Sequence, residues 1–69
     1  MNEIKYIASV RTKEGRIQFS SQAHPTREAA AAECWERYPT RVVTTSRASF
    51  YNGAWLDCGS DIHWLEPSR

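Results

Sequence analysis

The sequence predicts a small α+β protein: a single antiparallel sheet of about five strands, in the order β-β-α-β-β-β, with one helix packed on one face. Three observations carry this. Residues 3–12 alternate apolar and polar with the period of two expected of a half-buried strand. Four consecutive alanines, Ala29 to Ala32, follow a helix-start signal at Thr26 and precede a helix-ending Pro39. Asn52-Gly53, flanked by apolar and β-branched residues, is the strongest short-range hairpin signal a sequence carries.

The first strand, 3–12, sets Ile4, Tyr6, Ala8 and Val10 against Lys5, Ile7, Ser9 and Arg11. Lys13-Glu14-Gly15 is a short turn, and residues 16–20 resume the alternation with Ile17 and Phe19 inward. After a connection at 22–25 the helix begins, with Thr26 as N-cap and Glu28 near the positive dipole end. Pro25 as first helical residue, with His24 as cap, is the alternative start. Ala30, Ala31, Cys34, Trp35 and Tyr38 fall within one arc of about 140° on the helical wheel, a stripe suited to close docking on a sheet. Ala29, Ala32, Glu33, Glu36 and Arg37 lie opposite, with Glu33 and Arg37 spaced as an i,i+4 ion pair. Residues 40–51 read as a third strand, 54–58 as a fourth, Gly59-Ser60-Asp61 as a turn and 62–66 as a short fifth. Residues 67–69 are expected to form a frayed end.

The faces depend on the register at Asn52-Gly53, because a one-residue slip flips every side chain. A two-residue loop sets Phe50 opposite Trp55. A three-residue loop, Tyr51-Asn52-Gly53, sets Phe50 opposite Ala54 and gathers Ala48, Phe50, Leu56 and Cys58, then Ile62 and Trp64, on one apolar face. The second register is preferred for that consistency. The opposite, uncovered face then carries Lys5, Arg11, Arg16, Arg41 and Arg47 with Tyr51, Trp55 and His63, five cations against the single acid Asp57. Its plain reading is a solvated face whose charges blunt aggregation. Its functional reading is a partner-binding surface, since Arg, Tyr and Trp dominate interface hot spots.

Sixty-nine residues make one domain, 1–69, with a thin core. The net charge of +1 indicates neither a strongly basic nucleic-acid binder nor an acidic mimic of DNA, although the cations gather on strands and the acids on the helix and near the C-terminus. No apolar run approaches the ~20 residues that cross a bilayer, and the first six residues contain no apolar signal core, so a cytoplasmic protein with reduced thiols is expected.

Cys34, Cys58, His24 and His63 lack zinc-ligand spacing, so no metal or other cofactor is expected. The preferred register turns Cys58 inward and His63 outward, which separates a nucleophile from its base. A chain this short has little room for a deep pocket. No enzyme is predicted. An RNA-recognition fold needs two helices and its aromatic strand motifs, and a double-stranded-RNA-binding domain needs a second helix after its strands.

The element order over the whole chain, with Tyr51-Asn52-Gly53-Ala54-Trp55-Leu56 and Ile62-His63-Trp64-Leu65, resembles small phage-encoded anti-CRISPR proteins that act on type I-F surveillance complexes. The resemblance implies a stoichiometric inhibitor that docks on the complex and blocks target DNA binding. Lysine-rich contacts matter in that family, whereas this chain has only Lys5 and Lys13, so no interface residue is carried across. The expected function is a non-enzymatic binding protein of phage or mobile-element origin, with a protein or ribonucleoprotein partner. The alternative is a nucleic-acid-binding module using the same face. A monomer or weak homodimer fits either.

Overall fold

The computed structural model describes residues 3–67; Ser68 and Arg69 of the expected frayed end lie outside the described residues. The elements are β1 (Lys5–Arg11), β2 (Ile17–Ser20), α1 (Arg27–Arg37), β3 (Val43–Tyr51), β4 (Ala54–Asp57) and β5 (His63–Leu65), so the expected α+β order holds. The sheet is antiparallel and curled, with strand order β2-β1-β3-β4 and β5 paired to the start of β3. β4 and β5 thus share one edge of β3, β4 at Ala48–Tyr51 and β5 at Val43–Thr45. Between them the 58–62 loop grips the Arg47 backbone: its N–H donates to Ser60 and its carbonyl accepts from Cys58 N.

Thr26 caps α1 by accepting from Ala29 N at 3.1 Å, satisfying one of the donors that a helix start leaves free. Ala30, Ala31 and Cys34 form the buried stripe, and they pack on Ala8, Val10 and Val43. Phe19, Trp35, Tyr38 and Leu65 close the rim of this core. The small helical side chains bring α1 close to the sheet, and burying Val10 or Val43 contributes roughly 1.5–3 kcal/mol each. Trp35 finishes the helix exit by donating Nε1–H to the Arg41 carbonyl at 2.7 Å. The expected Glu33–Arg37 pair does not form. Glu33 turns instead to the 21–24 connection, and Arg37 lies over the Phe19 ring.

Two expectations about β3 are overturned. The hairpin loop has two residues, because Phe50 opposes Trp55 and Tyr51 opposes Ala54. Both loop residues take positive φ, 55° at Asn52 and 85° at Gly53, which defines a type I′ turn and matches the strand twist. The phase of β3 is also inverted. Val43 and Thr45 face α1 and are fully buried, whereas Thr44, Ser46, Ala48 and Phe50 face the other side. Helix length explains this. Eleven residues span about 16 Å, against about 30 Å for the nine residues of β3. The helix therefore covers only the first half of β3, and Val43 and Thr45 decide its phase rather than Ala48 and Phe50.

Candidate binding face

The side of the sheet away from α1 is built from alternate strand positions. β1 supplies Lys5, Ile7, Ser9 and Arg11, and the paired residues of β3 are Ala48, Ser46 and Thr44. Trp55 and Asp57 join through their pairing with Phe50 and Ala48, and Trp64 through Thr44. The floor is Ile7 with the small polar residues Ser9, Thr44 and Ser46, all buried although no helix covers them. Longer residues stand around them. The result is a shallow trough rather than a flat sheet.

The hydroxyls of the floor are satisfied from within. Ser46 Oγ donates to Asp57, Thr44 Oγ1 donates to the Ser9 carbonyl, and Ser9 and Ser20 hydroxyls bond each other at 3.1 Å. Asp57 also accepts from Gly59 N at 2.8 Å. Among the described residues no buried side-chain polar atom lacks a partner.

Aromatic and cationic groups collect at the two ends. At one end Phe50 and Trp55 meet edge to face, 5.3 Å between centroids, and Lys5 Nζ lies 5.3 Å from the Trp55 ring. Phe50 keeps 61% of its surface exposed. At the other end Trp64, 66% exposed, shares the lining of one depression with Arg11 and Arg41. Arg41 is held there by bonds to Gln18 Oε1 and the Arg11 carbonyl, and Arg11 bonds the Gly15 carbonyl at 2.7 Å. A smaller hollow of about 160 Å³ lies between Trp64, Ile62, Asp57 and Ser46.

Lys5, Arg11, Arg41 and Trp55 therefore share the uncovered face as expected. Arg47, Tyr51 and His63 do not. Arg47 pairs with Tyr6 and His63 with Thr45, both positions on the helix side, and Tyr51 follows Arg47 in phase. The β3 phase moves all three. Arg16 is exposed beside the β1–β2 turn and does not line the depression shared by Trp64, Arg11 and Arg41. Cys58, expected inward, is exposed and its thiol donates to the Arg47 carbonyl. Phe50 and Trp64, expected inward, are the aromatic residues that the sequence reading misses. The signal available for them is the shortness of the helix.

On the helix side Arg27 ties three elements together. Its guanidinium donates to Thr45 Oγ1 at 2.9 Å, pairs with Asp61 Oδ2 at 2.7 Å and lies 4.5 Å from the Tyr6 ring centroid. His63 Nε2 approaches the other oxygen of Asp61 at 3.3 Å. Farther along α1, Glu33 accepts from His24 Nε2 at 2.7 Å and from Gln22 N at 3.0 Å. The His24 hydrogen bond holds its carboxyl below the usual carboxylate range. Burial, and then the charge of Glu33, pushes the Cys34 thiol up to about 11.

Among the described residues no helix is long and apolar enough to cross a membrane. Comparison of the chain with protein-family models, with curated proteins and with solved structures gave no match.

Proposed function

We propose that this chain is a non-enzymatic binding protein that acts in the cytoplasm, and that it engages a protein or ribonucleoprotein partner through the uncovered trough of its sheet. The observation that carries this reading is the gathering of Phe50, Trp55 and Trp64 with Lys5, Arg11 and Arg41 on one face, at a cost in exposed aromatic surface that folding alone does not require. The trough is shallow and its hydroxyls already have partners within the sheet, which suits surface recognition better than chemistry on a bound substrate. In its most specific form the proposal is a phage-encoded stoichiometric inhibitor of a type I CRISPR surveillance complex, which rests on the resemblance to such proteins carried by the sequence.

Affinity capture on a purified type I-F surveillance complex tests the specific form, with the tagged chain as bait and target DNA binding as readout. Retention of the complex and loss of DNA binding are expected. Trp64→Ala and Lys5→Ala should lose capture, while Tyr51→Ala, on the helix side, should keep it. Equal capture by all three variants overturns the assignment to the trough.

A further inference from the structure

We infer that the trough is a seat for single-stranded nucleic acid, with its two ends acting as paired stacking and phosphate stations; this rests on the reading of that face as the binding surface. Each end couples an exposed aromatic ring to a cation: Phe50, packed on the half-buried Trp55, with Lys5, and Trp64 with Arg11 and Arg41. Trp55 stands opposite Phe50 and Trp64 opposite Thr44, a separation of about 20 Å along β3 at about 3.3 Å per residue. That span matches the lower end of the roughly 4–16 nucleotides held by grooves of this kind.

Charge favours this occupant. Lys5, Arg11 and Arg41 border the trough, and the acid on its strands, Asp57, is already occupied by Ser46 Oγ and Gly59 N. A phosphate backbone meets cations at both ends, in excess over the one carboxylate on the trough's strands. The floor explains what kind of recognition follows. Its hydroxyls are engaged within the sheet, by Ser20, the Ser9 carbonyl and Asp57, so they offer little to read base edges, and their small size lets a strand lie close to the sheet. Stacking on the exposed rings of Trp64 and Phe50 serves any base, so binding is tolerant of sequence. A duplex presents stacked bases that these rings cannot reach. An acidic peptide would satisfy the cations but would leave the flat faces of Trp64 and Phe50 without matching partners.

The test uses the intact protein and labelled oligothymidine and oligouridine of about eight nucleotides, within the site sizes such grooves use. At low salt both should quench tryptophan fluorescence and bind. Affinity should fall with salt at a log–log slope near about −2, as about three phosphate contacts require. Trp64→Ala should weaken binding about ten-fold or more, and Lys5→Ala should flatten the salt slope by about one contact. Tyr51→Ala should change neither. A duplex of the same length and an oligoglutamate peptide should each bind more weakly. Absence of binding by both oligonucleotides at low salt overturns the inference, as does tighter binding of oligoglutamate or of duplex, or equal loss in Tyr51→Ala and Trp64→Ala. If the oligonucleotides fail while capture of the surveillance complex still depends on Trp64, the face remains a protein-binding surface and only the nucleic-acid inference falls.

Discussion

Arg27, in the first turn of α1, pairs with Asp61, in the loop between β4 and β5, at 2.7 Å. The two are joined across the end of β3, where the same guanidinium bonds the carbonyl and hydroxyl of Thr45. With only 14% of its side chain exposed, Arg27 fastens the helix start to the outer edge of the sheet. Hydrogen bonds to a charged group contribute about 1.5–3 kcal/mol, so Arg27→Ala should destabilise by about 2 kcal/mol. For a domain of this size that lowers Tm by roughly 8–16 °C, readable by calorimetry. Asp61→Asn should cost less than about 1 kcal/mol, because that carboxylate is largely solvated. Equal losses in the two variants would assign the fastening to the ion pair rather than to the Thr45 bonds.

Glu33 straps the 21–24 connection to the helix through Gln22 N and His24. Its carboxyl titrates below its ordinary value of 4.5, so the folded state binds that proton less readily than the unfolded chain. Its contribution is therefore complete above the unfolded value and is lost as pH falls through the lower, folded one. Glu33→Gln does not titrate. The gap in urea midpoint between wild type and Glu33→Gln should change as pH falls below about 4.5, where the carboxylate takes up its proton. The effect should stay under about 1 kcal/mol, since the pair is partly solvated. A gap unchanged down to the acid limit of folding would remove this role.

Gly53 holds φ at +85° with open space where a Cβ would stand. A substitution there is strained by backbone conformation and not by a clash. Gly53→Ala should cost about 1–2 kcal/mol in chemical denaturation. A synthetic chain with D-alanine at this position should recover the loss, because the mirror-image residue favours positive φ. Failure of the D-residue to recover it would point to an unseen contact.

The two thiols should separate cleanly. Cys58 is exposed and Cys34 is buried with its pKa at about 11. Near neutral pH a disulfide reagent should modify one thiol per folded chain quickly and the second only at the rate of opening. Both thiols should react at once in denaturant. Fast modification of both in the native protein would contradict the packing of Cys34.

The element order, the inner stripe of α1 and the two faces of β1 are legible in the sequence, because each rests on a local pattern, and of the two helix starts the sequence allows, the Thr26 cap is the one that forms. β3 is different. Val43 and Thr45 at one parity compete with Ala48 and Phe50 at the other, so alternation does not decide. What decides is tertiary: α1 is too short to cover the whole strand. Trp55 shows how close the reading came. The expected phase of β3 and the expected hairpin register are each off by one residue, and at Trp55 the two offsets cancel. At Arg47 and Tyr51 only the phase acts, so both move to the helix side. At Phe50 the same shift brings a ring to the trough beside Trp55.

The shared edge of β3 has a kinetic meaning. The β1–β2 and β3–β4 hairpins and α1 close over short stretches of chain, but β1 meets β3 only across the whole intervening segment, as Ser9 and Thr44, 35 residues apart, illustrate. Loop-closure entropy must be met before that pairing returns anything. Among the strand pairings, the central zipper between β1 and β3 therefore carries the largest loop-closure cost, whereas β5 meets β3 over a shorter stretch, as Thr45 and His63, 18 residues apart, illustrate.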